Sequence, residues 1–417
     1  MKKSRKRRIR YDRVVILLFI IITIIFLVSL IFNKNKEIYM IDIVNKNIDD
    51  VYELLSDYDI EINISYEYND NVDKGKVISQ SILENMVIND GDKLDLVISL
   101  GKLDKEKLKN DGINELGKVP IMMYHGIKDM KDSETDYIGG NVDKDGYTRT
   151  SESFRRDLEL YYQKGYRMIK LSDYINGNIN TPYGKSPIVL TFDDGNANNI
   201  RVTGLDSDGN IIIDKNSAVG ILEEYKKKYP DYNVTAIFFI NNGLFNQPEY
   251  NDKIIKWLVD NGYEVGNHTK GHNDFTKIDS NKTQEVVGYM YNKLESIVGD
   301  KYSKIVALPY GSPYNKTHNN YKYIINGSYE GNDYETVAAL RVGWEPEISP
   351  FNKDFDKTFL KRCRAYDNNG VDFDIEMTLR ILDKNRYISD GNVETIVTDI
   401  KNSDIINSNI DKEIIMY

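Results

Sequence analysis

A single cysteine, Cys363, in 417 residues excludes a disulfide within the chain, so the fold has to stand on its hydrophobic core. Histidine is nearly as scarce: of four in the chain, two lie four positions apart, His268 and His272. Long apolar runs are scarcer still. The one present, Val14 to Phe32, is 19 residues broken only by Thr23 and Ser29. Every other stretch is too polar for a second crossing, which excludes a multi-pass membrane protein. Net positive charge is missing beyond the first 13 residues, which hold eight Lys or Arg against Asp12 alone. The whole chain carries −10, so everything after that basic tail carries −17. An acidic body of this kind is excluded as a nucleic-acid binder, which needs positive charge against phosphates.

What is there begins with that tail, residues 1–13, and the run 14–32, whose length lies within the roughly 17 to 25 residues that span a bilayer. Basic residues before it outnumber those after it, which places the N-terminus in the cytoplasm and the rest outside. The run is too long for a signal peptide and no small-residue cleavage site follows. The expectation is a transmembrane helix, uncleaved, anchoring a single-pass protein in the cell membrane with a large extracellular part.

Residues 36–101 have a pattern of their own. Ile48, Val51, Leu54, Leu55 and Tyr58 recur at helical spacing, with Asp49 and Asp50 near the helix start, where negative charge suits the dipole. Ile60, Ile62 and Ile64 alternate as a strand does, and so do Leu94, Leu96 and Ile98. With Asp73-Lys74-Gly75-Lys76-Val77-Ile78-Ser79-Gln80-Ser81 and the ending Val97-Ile98-Ser99-Leu100-Gly101, this small α+β unit resembles a PASTA domain. That resemblance implies peptidoglycan recognition; a spacer that lifts the next domain off the membrane is the other reading. Residues 102–118 are charged, lack a sustained apolar face and read as a linker.

From 119 to 417 the pattern alternates between strand and helix. Val119 to Tyr124 opens as a strand and Pro187 to Leu190 is a short buried one, with further strands at Val234 to Ile240 and Ile305 to Leu308. Helical faces fall near Phe154 to Tyr162, Val219 to Lys228, Ile254 to Val259 and Thr283 to Val298. Repeated strand-then-helix units predict an α/β fold with a mostly parallel sheet and chemistry at the strand C-terminal ends. His125, Asp193, Asp194, His268 and Pro309-Tyr310-Gly311 all fall at such ends.

The centre is Thr191-Phe192-Asp193-Asp194-Gly195. Successive strand side chains point to opposite faces, so the two aspartates take different roles, one holding a metal and the other meeting a reactant. His268 and His272, at a spacing of four, are expected on one side of a helical turn. One Asp and two His form a nitrogen and oxygen donor set with open positions, suited to catalytic Zn²⁺ or a similar divalent ion. The remaining Asp is a general base. Pro309 has no N–H and Gly311 permits a tight turn, so the amide of Tyr310 is the candidate oxyanion donor.

At these residues the chain resembles the polysaccharide deacetylase family, carbohydrate esterase family 4. Its motif T-F-D-D-G stands at 191–195 and H-[ST]-x-x-H at 268–272, within a similarity over most of 119–395. The resemblance implies a distorted (β/α) barrel, a divalent metal (Zn, with Co or Mn as alternatives) and removal of acetyl from N-acetylglucosamine units. It implies Asp193 as base, Asp194, His268 and His272 as metal ligands, and Tyr310 as oxyanion donor, with Pro309 and Trp344 beside the substrate. Two departures stand out. The Arg that precedes the family's third motif is Ala307 here, with Arg341, Arg362 and Arg386 as possible replacements, and no His follows His318, which reads as solvated surface. Some exopolysaccharide-type members carry the acid histidine on the first strand; Tyr124-His125 resembles that arrangement and implies His125 as general acid.

The expected function is a membrane-anchored extracellular deacetylase of cell-wall peptidoglycan. The alternatives are the same chemistry on a secreted N-acetylglucosamine polymer, and a glycan-binding pseudoenzyme suggested by Ala307 and the missing late histidine.

Overall fold

The computed structural model describes residues 38–56, 58 and 60–417. The basic tail 1–13 and the expected transmembrane run 14–32 lie outside them. Among the described residues no helix is long and apolar enough to cross a membrane.

The described residues divide into two compact units, those up to 64 with 74–99, and residues 65–73 with 100–417. In the first, Asn47 caps the helix Ile48–Leu54 by accepting from the Asp49 amide at 3.0 Å. This satisfies a helix-start amide that has no partner within the helix. A three-stranded sheet runs in the order Ile60–Glu67, Asp92–Ser99, Val77–Gln80. Val51, Val77, Leu94, Leu96 and Ile98 are buried as its core.

The second unit is built on eight strands: β1 (Ile121–Tyr124), β2 (Tyr166–Met168), β3 (Ser186–Phe192), β4 (Ile237–Ile240), β5 (Glu264–Asn267), β6 (Ile305–Ala307), β7 (Ala338–Leu340) and β8 (Cys363–Arg364). They form one parallel sheet in the order β7-β6-β5-β4-β3-β1-β8, with β2 also pairing with β3. Parallel strands joined through helices are covered on both faces, which is why β1, β3, β4 and β5 are buried at every residue. Alternation sorts the two faces. Met122, Tyr124, Leu190, Phe192, Phe238, Ile240 and Cys363 pack outward under Leu158, Leu222, Leu258, Leu294 and Leu379, one from each of five surrounding helices. Ile121, Val189, Ile237, Phe239, Ala307 and Leu340 form the opposite core.

The sheet curls until its edges meet. Leu340, at the end of β7, bridges to Leu360, just before β8, through hydrogen bonds of 2.9 Å from Leu360 to the Ala339 carbonyl and from Arg341 to the Leu360 carbonyl. The architecture is therefore an α/β fold with a curled parallel sheet.

The end of the stretch read as linker, residues 113–118, is threaded into the second unit: Asn114 and Glu115 donate their amides to the Ile388 and Val397 carbonyls, and Ile113 and Leu116 are buried. A polar stretch that docks through backbone bonds carries no apolar periodicity to announce it.

Candidate active site

Asp193 follows the last residue of β3 and its amide bonds to the Tyr124 carbonyl at 3.0 Å, which prolongs the pairing with β1. By alternation it shares the inward face with Val189 and Thr191. The chain then turns sharply: Asp194 has φ 74° and Gly195 φ 63°. A Cβ on Gly195 would lie 1.9 Å from the Leu244 carbonyl oxygen, so only glycine fits. The turn sends the Asp194 carboxylate toward the histidines.

The histidines are not on a helical turn. His268 extends β5 by bonding its amide to the Ile240 carbonyl at 2.9 Å, and the following loop bends through left-handed Thr269 (φ 65°) and His272 (φ 51°). Asn267 makes that bend, its side-chain oxygen accepting from the Thr269 amide at 2.8 Å while its nitrogen donates to the Val287 carbonyl at 3.0 Å. The rings still meet, with centroids 4.8 Å apart.

Together with His125, Tyr310, Tyr147 and Val342, these residues line one cavity of about 310 Å³ at the C-terminal end of the strands. The ligand atoms of Asp194, His268 and His272 lie within 4.8 Å of one another. Nε2 of His268 is 3.3 Å and Nε2 of His272 3.4 Å from the same oxygen, Asp194 Oδ1. Nδ1 of His268 lies 2.8 Å from the Ala307 carbonyl, which can only accept, so Nδ1 carries the proton and Nε2 presents its lone pair. That Nε2 is buried without a hydrogen bond. An orphaned buried lone pair facing a carboxylate and a second imidazole fits a divalent cation. Charge agrees: burial pulls the His268 pKa down, but Asp193 and Asp194 override it and hold it above the ordinary value, favouring positive charge at this place.

Asp193 sits behind this group. Its two oxygens accept from Nη1 and Nη2 of Arg362, each at 2.7 Å. Arg362 is fully buried, its remaining bonds running to Thr191 Oγ1 at 3.1 Å and the Arg341 carbonyl at 3.1 Å. Burial pushes the Asp193 carboxyl up, but the Arg362 charge outweighs it and holds the group well below the usual carboxylate range. Of the three arginines that the sequence offered in place of Ala307, geometry selects Arg362. Arg341 stacks on Phe359 and Arg386 bonds to the Lys164 carbonyl.

His125 is half-buried at the end of β1, its ring edge-on to Tyr147 at 4.8 Å, its carbonyl held by the Asn199 side chain at 2.5 Å. Burial lowers its pKa, with Asp193 and Asp194 only partly restoring it. Tyr310 has φ 58° in the turn Pro309–Gly311, and its exposed ring meets His272 at 4.6 Å. The amides of Gly311 and Ser312 are spent on the Leu308 and Pro309 carbonyls, and Pro309 has none. Pro309 is buried and does not line the cavity; Trp344 lines a neighbouring one. His318 lies outside both, accepting from the Asn320 amide. Sequence reasoning missed Tyr147 and Asn199, which no motif marks.

The family model described as polysaccharide deacetylase matches residues 180–324, and that described as PASTA domain matches residues 38–100. The chain carries a polysaccharide deacetylase domain behind a PASTA domain. The match over residues 180–324 identifies that part of the chain as a hydrolase domain of the polysaccharide deacetylase type. No curated protein matches the chain. Among solved structures, the deacetylase is similar to Streptococcus pyogenes deacetylase PplD in complex with acetate, at 17% identity and TM-score 0.44 over 63% of this chain and 97% of that one. It is also similar to a de-N-acetylase from Aggregatibacter actinomycetemcomitans, at 15% identity and TM-score 0.38 over 59% and 94%. The extra-cellular region of the Ser/Thr kinase PrkC from Staphylococcus aureus is similar at 30% identity and TM-score 0.15 over 16% and 24%.

Proposed function

We propose that this protein is a membrane-anchored extracellular N-deacetylase that removes acetyl from N-acetylglucosamine units of cell-wall peptidoglycan. The observation that carries the reading is Asp193, held ionised by Arg362 and placed behind the Asp194, His268 and His272 group in one cavity. Those three residues would hold the divalent ion, which when bound makes water nucleophilic near neutral pH and polarises a carbonyl. Asp193, fixed by two hydrogen bonds, takes the proton of the attacking water. The Tyr310 amide would donate to the oxyanion that develops on the acetyl carbonyl oxygen when water attacks the carbon. His125 delivers a proton to the leaving amine. Burial makes its imidazolium a stronger acid than free histidine and confines the reaction to pH values at which it is charged.

The basic tail and the run 14–32 support the anchor, and the PASTA domain supports the wall as substrate. The placement of His125 on the first strand favours a second reading, the same reaction on a secreted N-acetylglucosamine polymer. Of the two motives for a pseudoenzyme, Arg362 answers the arginine missed at Ala307, and His125 is the proposed answer to the missing late histidine.

Acetate release from peptidoglycan and from N-acetylglucosamine oligomers, by metal-stripped protein given Zn²⁺, Co²⁺ or Mn²⁺, tests this. Metal-dependent release lost in Asp193→Asn is expected, with peptidoglycan the better substrate. A preference for the oligomers transfers the function to the polymer, and no release with any metal overturns both readings.

A further inference from the structure

Beside the catalytic cavity lies a larger one, of about 640 Å³, within the range of small-ligand sites. Arg364 separates the two. It follows Arg362 by two positions on the inward face of β8. Its guanidinium lies 5.2 Å from the ring of Tyr147, a wall of the catalytic cavity, and 5.6 Å and 4.2 Å from Trp344 and Tyr366, walls of the second. It also donates to the Asp145 carbonyl. Stacked among three rings and tied to backbone, Arg364 lines the second cavity and braces Tyr147, a wall of the first, so it stands as a partition between them.

The second cavity is polar in a particular way. Trp344 keeps 48% of its surface exposed, and an open indole face is a platform for the apolar face of a sugar ring. Around it stand Asp136, Asp145, Asp367 and Asp372, with Lys144 and the partition Arg364 the only lining cations among the described residues. The hydrogen bonds that the Asp367 and Asp372 carboxylates accept come from N–H groups: the Asn369 amide to Asp367 at 3.0 Å, and the Asn368 side chain to Asp372 at 2.8 Å. The cavity therefore keeps an excess of negative charge next to an aromatic platform, which repels an acidic group and attracts an ammonium.

We propose that this cavity is a subsite for a cationic amine carried on the same glycan whose acetyl group enters the catalytic cavity. The assignment rests on the deacetylase reading for its substrate. Two groups supply the amine: the free 2-amino group of a neighbouring sugar deacetylated earlier, or the side-chain amine of a peptide attached to the glycan. In either case the enzyme recognises its place on the glycan by a charge lying outside the reacting sugar.

The test is calorimetric titration of the full-length protein with glucosamine tetramer, N-acetylglucosamine tetramer, and a disaccharide-peptide with one free side-chain amine. Each is repeated with Trp344→Ala and with Asp367→Asn combined with Asp372→Asn. Asn keeps the hydrogen bonds and tolerates the left-handed backbone at Asp372, so the double variant folds, as its melting point verifies. At least one amine-bearing ligand is expected to lose about tenfold in affinity in each variant, while the neutral tetramer responds only to Trp344→Ala. Which amine-bearing ligand responds identifies the source. Equal affinity of both amine-bearing ligands for wild type and double variant, or no binding of either, overturns the subsite. Acetate release is followed in parallel: variant-sensitive amine binding without release from any glycan leaves the subsite standing and removes the deacetylase reading.

Discussion

Arg362 and Asp193 are 169 residues apart in the chain and share two hydrogen bonds of 2.7 Å in the interior of the curled sheet. A fork of two parallel N–H groups fixes the plane of the carboxylate as well as its charge. Arg362→Lys keeps the charge and loses the fork. Its kcat is expected to fall about a hundredfold with KM little changed, the effect of a misplaced base. Arg362→Met goes further by leaving a buried carboxylate alone, at a cost of about 3 to 5 kcal/mol in denaturant unfolding near neutral pH. The sign with pH follows from the depressed Asp193 pKa. The pair's contribution is present above the ordinary carboxylate range and lost as pH falls through the depressed value, so the gap between wild type and Arg362→Met narrows in acid. Equal kcat for wild type and Arg362→Lys would remove Arg362 as the positioning residue.

His268 gives the metal reading a readout independent of turnover. Its proton is fixed on Nδ1 by the Ala307 carbonyl, and the neighbouring aspartates raise its pKa. Below that raised pKa the ring also carries a proton on Nε2, which a metal has to displace, so binding there releases protons and affinity climbs with pH until the imidazole is neutral and Nε2 presents its lone pair. Loss of a partner behind a ligand typically costs about 10- to 100-fold in affinity, so losing a ligand outright in His272→Ala costs at least about 100-fold. Zn²⁺ titration of the stripped protein in two buffers of different ionisation enthalpy measures both. Proton-neutral binding, or unchanged affinity in His272→Ala, would count against this donor set.

Gly195 ties the two motifs to one another. Its φ of 63° and the Leu244 carbonyl 1.9 Å from any Cβ leave no room for a side chain. Gly195→Ala must move either the Leu244 loop or the Asp194 turn, and Asp194 is the residue that reaches the histidines. A loss of more than about 1 kcal/mol in stability together with weakened Zn²⁺ binding is expected. Stability loss with intact Zn²⁺ affinity would place the accommodation in the Leu244 loop instead.

Much of this site was legible from local pattern. Apolar runs ending at His125, Asp193 and His268 mark strands buried on both faces, and a parallel sheet collects their C-terminal ends. Two features were out of reach for physical reasons. The spacing of His268 and His272 suits a helix, yet Asn267 spends its side chain on a loop with two left-handed residues, and local hydrogen bonding overrode periodicity. Arg362 carries no signal of its own, because its partner is reached only when the sheet curls and brings β8 beside β1. The docking of residues 113–118 was hidden for a related cause, a buried Glu115 where an apolar residue would have marked the segment.

That buried acid has a measurable consequence. Glu115 accepts from the Val397 amide at 2.8 Å and the Tyr387 hydroxyl at 2.9 Å, and the fully buried Asp390 lies close by. Burial drives both carboxyls above their ordinary values, each resisting charge beside the other. A carboxyl whose folded pKa is raised stabilises the fold while protonated, and that contribution is lost as pH rises through the raised value. Asp390 accepts from the Asn392 amide at 2.9 Å and meets the Thr395 hydroxyl at 2.6 Å. Asparagine reproduces both, accepting from the amide and donating to the hydroxyl. Asp390→Asn therefore removes one buried charge without removing a bond. Its melting point is expected to approach that of wild type near about pH 5 and to exceed it by several degrees near about pH 8. A difference independent of pH would mean that Asp390 is ionised throughout and that the 113–118 clasp is held by backbone bonds alone.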